Sequence, residues 1–200
     1  KRLCLIDNHL EWYYSGVMHE IIGCKSPMME KSLDGNYYIS TNVVVSARNK
    51  KGQRKFYDDA QILKKAYEKN DKLKHRYGFY AGECLRFSGK ENWKESIEWY
   101  TKTANNDKTW NQERYWSCYQ IGKMYKDMGE KEKSWYWWFR SYDYDNQRQE
   151  AFYELIKRCR EKNHFQLGYT LYKMLKPIKE SDKPHKLFII NHIYEHSLYS

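Results

Sequence analysis

Proline is almost missing from this chain: there are three in 200 residues, and none between Met28 and Lys176. A proline inside a helix removes a backbone donor and clashes with the preceding turn, so that long stretch is open to uninterrupted helices. Long apolar runs are missing as well, and none approaches the ~18 residues that a membrane-crossing helix needs. No signal-like apolar start is present, and the chain opens at Lys1 instead of Met, so a longer or processed natural product is expected. Paired cysteines are also absent. Cys4, Cys24, Cys84, Cys118 and Cys159 are odd in number, widely spaced and without a Cys-x-x-Cys pair, which argues against a zinc ribbon or a redox dithiol. Cys84, Cys118 and Cys159 fall at apolar helical positions and read as buried thiols of a reducing, cytoplasmic compartment.

Aromatic side chains are what the chain has in excess: twenty tyrosines, eight tryptophans and seven phenylalanines. The core is therefore expected to be built largely from rings. The formal charge of +10 favours acidic partners in general. Lysine and arginine are nevertheless interleaved with glutamate and aspartate, as from Lys123 to Lys133, and form no basic block. Nucleic acid is accordingly not expected as a partner. The richness in Lys, Asn, Tyr and Ile is also what an AT-rich genome encodes.

Residues 121–146 organise the rest of the chain. Gly122 and Tyr125 on a first helix, Gly129 at a turn, and Ser134, Trp138 and Ser141 on a second helix have the spacing of a tetratricopeptide repeat, in which small residues let two helices approach and an aromatic fills the gap. Asn163, Gly168, Tyr172 and Leu175 repeat the second half of this pattern after the usual period, and Gly82, Leu85, Gly89, Ser96, Tyr100 and Thr103 repeat it more loosely before. Apolar spacing predicts helices at 75–88, 93–105, 111–128, 130–144, 148–162 and 165–175, with short loops that force antiparallel neighbours. Asp58-Asp59 is read as the cap of an earlier helix carrying Ile62, Leu63, Ala66 and Tyr67, and 186–199 as a last helix closing the stack. The expected fold is thus mainly α, an antiparallel helix-pair solenoid over residues 58–200, preceded by a short mixed α/β segment at 1–57. In that segment Leu10 to Ser15 and Tyr37 to Ala47 have the content of strands, with Pro27 and Asp34-Gly35 as turns between them.

Chemistry is sparse. His19-Glu20, after Trp12-Tyr-Tyr-Ser and the turn-making Gly16, places an imidazole beside a carboxylate; such a pair can bind a cation or act as a base, and is more often a structural hydrogen-bonding pair. Asp143-Tyr144-Asp145 lies where acidic residues commonly end a helix at the surface, without the strand-end setting of a metal site. His192 and His196 share a helix face, yet no third zinc ligand is evident. Trp135 and Trp138 are read as core, whereas Trp137 points elsewhere and is a candidate contact for a peptide, a sugar ring or a neighbouring helix.

In order along the chain, Trp12-x3-Gly16-x2-His19-Glu20, Lys55-x2-Asp58, Arg76-Tyr77-x-Phe79-Tyr80-Ala81, Trp110-x2-Glu113-x-Tyr115 and Arg148-x-Glu150-Ala151 resemble the C-terminal half of family 2 glycosyltransferases that end in tetratricopeptide-like repeats. Such proteins occur in bacteria and giant DNA viruses, and the composition favours the viral kind, with the host cytoplasm or the virion as location. The resemblance implies that residues 1–57 complete the edge of a GT-A catalytic domain. It also implies a nucleotide-sugar donor, a glycan or protein acceptor, and a divalent metal, Mn or Mg, in the parent enzyme. By the same resemblance His19 is a metal ligand, Glu20 a catalytic residue, and Lys55, Arg54 and Arg48 bind the diphosphate. The donor-binding strands and their Asp-x-Asp are not among these residues, so this stretch alone is expected to be inactive. The alternative is a non-catalytic repeat module with no cofactor, whose concave helical face binds a protein partner or packs in an assembly.

Overall fold

The computed structural model describes residues 6–7, 9–27, 29, 52–69, 72–175 and 186–195. Strands β1 (Trp12–Ser15) and β2 (Ile21–Cys24) pair antiparallel, with Trp12 opposite Cys24 and Ser15 opposite Ile21. Helices follow at α1 (Arg54–Glu68), α2 (Lys74–Ser88), α3 (Trp93–Asn105), α4 (Asn111–Asp127), α5 (Lys131–Ser141), α6 (Glu150–Glu161), α7 (Phe165–Met174) and the short α8 (Asn191–Glu195). The described chain is mainly helical with one small antiparallel sheet, and none of its helices is long and apolar enough to cross a membrane.

The helix positions from 75 to 175 follow the apolar spacing closely, because each amphipathic face has a neighbour to bury against. Each helix from α1 to α7 packs on the next, and α4 also touches α2 and α6. Where two helices come close, a glycine faces a ring. A Cβ on Gly122 would lie 2.3 Å from Trp138 Nε1, and one on Gly82 would lie 3.0 Å from Tyr100 Cδ1. Tyr77, Tyr100, Tyr115, Tyr119 and Trp138 are fully or almost fully buried, which is where the aromatic excess goes. Two of the buried hydroxyls end on buried carboxylates: Tyr100 donates to Glu83 Oε1 at 2.6 Å and Tyr115 to Glu150 Oε2 at 3.2 Å.

Several expectations need correction. Helix α1 starts at Arg54, so Asp58 and Asp59 lie inside it and cap nothing, and Ile62 is exposed while Ala60, Leu63 and Ala66 form the buried stripe. The second strand near the N-terminus is Ile21–Cys24, a four-residue segment too short to show alternation and defined by its pairing with β1. Tyr37 to Ala47 lies outside the described residues. Trp137 is only 8% exposed and belongs to the principal core, with Arg140 over its ring at 5.1 Å. It offers no partner or acceptor surface, because the helix face it occupies is also covered. Cys84, Cys118 and Cys159 are buried, and burial pushes the Cys118 thiol up to about 12.

Asp145 does not end a helix at the surface. It is buried and accepts from Gln112 Nε2 and Lys186 Nζ, both at 2.6 Å. The expected last helix is present only from Asn191, and residues 186–190 run as a non-helical segment over α4 and α6. His196 lies outside the described residues, and His192 is exposed.

Candidate functional site

A cleft of about 1270 Å³ opens between the strand pair and helices α1 and α2. Its strand-side wall is a tight turn. Gly16 adopts φ 116°, a conformation that glycine enters without a Cβ penalty, and His19 follows at φ 52°. The turn is held on α2 by stacking of the His19 ring on Tyr80, at 3.8 Å between centroids and 12° between planes, and by Arg76 Nη2 donating to His19 O at 3.4 Å. Met18, like Leu73 and Tyr80, packs against the buried cluster that α1 and α2 form.

Helix α1 supplies Lys55, Asp58, Asp59 and Ile62 to the cleft. Their spacing puts all four on one helix face. His19, Glu20 and Lys55, the three sequence candidates that the structure describes in this region apart from Arg54, therefore reach one cavity. Arg54 does not join them. It begins α1 and lines a separate shallow depression with Tyr57, Ser88 and Glu91. Arg48 lies outside the described residues.

Among the described residues Glu20, Asp58 and Asp59 line the cleft together with Lys55, and carboxylates accept hydrogen bonds from hydroxyls. Glu83 lies in the same lining but is committed: its Oε1 accepts from Tyr100 and from Trp116 Nε1, each at 2.6 Å, and its Oε2 accepts from Arg86 at 2.9 Å. Phe56, Phe87 and Phe188 add ring surfaces. Burial raises the Tyr80 hydroxyl above its ordinary value, against the pull of Arg76. The residues around His19 do not fit a metal centre by themselves. Among the described residues no three His, Cys, Asp or Glu side chains gather as a metal-holding group.

Arg76 also connects the turn to α4, where Glu113 Oε1 lies 3.9 Å from its Nη1. Burial pushes the Glu113 carboxyl up from 4.5 to about 7, with Arg76 pulling the other way. Between those values the folded chain keeps a proton that the unfolded chain releases. This contribution to stability is therefore full below pH 4.5 and is lost as pH rises to 7. The full shift corresponds to about 3–4 kcal/mol, of which about 2–3 kcal/mol is lost between pH 4.5 and 7.5. Glu113→Gln should remove the loss, so urea unfolding of the variant should gain about 2–3 kcal/mol on wild type between pH 4.5 and 7.5. A difference that does not vary with pH would refute this assignment.

Of the remaining motif residues Trp110 is exposed, whereas Tyr115, Arg148, Glu150 and Ala151 are interior. Arg148 and Glu150 are fully buried and paired at 2.7 Å, the Arg148 guanidinium lies 4.3 Å over the Tyr115 ring, and Tyr115 bonds Glu150. Burial alone would lower the Arg148 pKa, but Glu150 beside it wins and holds the guanidinium charged. Glu83 and Phe188 were not singled out by sequence, and Asp59 was read only as part of a helix cap and not as a residue of the cleft. The helical spacing of Lys55, Asp58 and Asp59 was the available signal for Asp59, and no local signal exists for the other two.

No family model, curated protein or solved structure matches the chain.

Proposed function

We propose that this chain is the C-terminal region of a nucleotide-sugar-dependent glycosyltransferase, its helices a tetratricopeptide-like solenoid and its cleft the place where a sugar lies against the edge of the catalytic domain. The observation that carries this reading is the convergence of His19, Glu20 and Lys55 in one cleft together with carboxylates and aromatic rings. Carboxylates accept bonds from sugar hydroxyls, ring faces pack on the C–H faces of a pyranose, and one lysine can meet a phosphate. The repeated contacts of Gly82 with Tyr100 and Gly122 with Trp138 support the solenoid, as do the contacts of α4 with α2 and α6. On this reading the donor-binding strands and their Asp-x-Asp lie upstream of Lys1, and any divalent cation takes its carboxylates from there.

The test is sugar transfer by the natural-length protein from a panel of nucleotide sugars. His19→Ala and Lys55→Ala are each expected to lower kcat by about 10²-fold, the usual cost of losing one group that stabilises developing charge. Unchanged transfer in both variants, or no transfer from any donor, would remove the reading. A second reading, a protein-binding repeat module, is favoured by Phe165 and Tyr169, which are mostly exposed on α7. It predicts a partner whose binding is lost in a Phe165→Ser/Tyr169→Ser variant while His19→Ala binds normally.

A further inference from the structure

Residues 186–194 cross from α6 and α4 to the cleft, and the fastening is all on the chain around one residue. Arg148 Nη1 donates to Leu187 O at 2.6 Å and its Nη2 to Phe188 O at 3.4 Å. Leu187 N donates to Gln112 Oε1 at 3.3 Å, Ile190 N to Glu150 Oε1 at 3.4 Å, and Tyr194 to Glu150 Oε2 at 2.8 Å. Lys186 is tied to Asp145 at 2.6 Å. The backbone on both sides of Phe188 is thereby fixed by groups that are themselves buried.

Phe188 stands in the left-handed region at φ 53°. That conformation is costly for a bulky residue and persists only where the surroundings enforce it, and such positions concentrate where a ligand is held. Its ring is 43% exposed, rests on Trp116 at 5.2 Å and Phe79 at 6.4 Å, and lines the cleft with His19, Tyr80 and Asp58. A strap that served only to close the helical stack would turn this ring inward or place a glycine here. Instead a buried ion pair holds a strained backbone so that an apolar ring is left facing the cavity.

We propose that residues 186–194 are a strap, fastened by Arg148, that delivers Phe188 to the cleft as the surface on which the ring of a bound saccharide stacks. This rests on the carbohydrate reading above and names one contact within it. The same cleft carries Glu20, Asp58 and Asp59 for the hydroxyls.

Saturation-transfer difference NMR on the 200-residue chain separates the two ideas, with methyl glycosides of glucose, galactose, mannose and N-acetylglucosamine as neutral probes and UDP as the charged one. At least one glycoside should show transfer to its ring protons, reduced roughly fivefold to tenfold in Phe188→Ala and retained in Phe188→Trp. Glycoside signals that survive Phe188→Ala, or a chain that binds UDP but no glycoside, would overturn the role of Phe188 and leave the glycosyltransferase reading standing. No signal from glycosides or UDP would likewise overturn the role of Phe188, while the glycosyltransferase reading stands or falls with sugar transfer by the natural-length protein. The strap geometry has its own check: Phe188→Gly should melt about 2–4 °C above Phe188→Ala, because only glycine adopts positive φ freely. Equal melting of the two would show that the backbone is not held this way, and the proposal would fail.

Discussion

Arg148→Met should lower the unfolding free energy by about 3–5 kcal/mol, the range expected when one partner of a buried ion pair is removed. The guanidinium satisfies four acceptors: Glu150 through two bonds, Gln112 Oε1, and the carbonyls of Leu187 and Phe188. Methionine fills much of the volume and replaces none of these bonds. Among the described residues Glu150 would then be a buried carboxylate held by Tyr115, Tyr194 and the Ile190 amide. Adding Glu150→Gln to Arg148→Met should recover part of the loss, because a neutral amide needs no counter-charge. Thermal melts and urea titrations of the two singles and the double close the cycle. A loss below about 1 kcal/mol for Arg148→Met would mean that water already reaches this pair. The ion pair need not make the fold more stable than an apolar core would; what it does is fix where the C-terminal segment runs.

Trp138→Ala should cost about 3–5 kcal/mol as a large cavity between α4 and α5, and Gly122→Ala should cost about 1–3 kcal/mol for the opposite reason. The added methyl would meet Trp138 Nε1 at 2.3 Å and Cδ1 at 2.4 Å, and the indole cannot yield without losing its bond to Tyr119 O at 3.2 Å. Their combination is the discriminating measurement. Once Trp138 is alanine, nothing opposes the methyl, and Gly122→Ala should become neutral or stabilising by about 0.5–1 kcal/mol through helix propensity. Failure of the sign to reverse in denaturant unfolding would mean that the helices do not meet at this contact. Gly82→Ala serves as an internal comparison. Its methyl would meet Tyr100 at 3.0 Å, so a smaller loss than at Gly122 is expected.

The helical half was legible because its signals are local. Glycine at a close approach, rings one helical turn apart and the lack of proline all act within one helix or one helix pair, and α2 to α7 formed nearly where spacing put them. The start of α1 was misplaced because Asp58 and Asp59 look like a cap, while the helix actually begins four residues earlier without a side-chain cap. Trp137 looked available because it lies off the Trp138 face. Helix α5, however, packs on both α4 and α6, and a single helix's periodicity does not reveal the second neighbour.

For the cleft, the resemblance of motifs in order along the chain named His19, Glu20 and Lys55, and with α1 expected to start at Asp58 the helical face that Lys55 shares with Asp58 was missed. Their meeting was not legible. It depends on a turn stacking on Tyr80 and on Arg76 spanning from His19 to Glu113, contacts between residues far apart in sequence. The sequence by itself determined that the chain is helical, rich in buried rings and free of membrane-crossing helices among the described residues. Only the tertiary structure decided which charges are buried, that Asp145 and Arg148 lie inside, and that Phe188 reaches the cleft. The physical reason is that propensity and periodicity are properties of one segment, whereas burial of a charge and closure of a cleft are settled by partners that the chain brings together only when it folds.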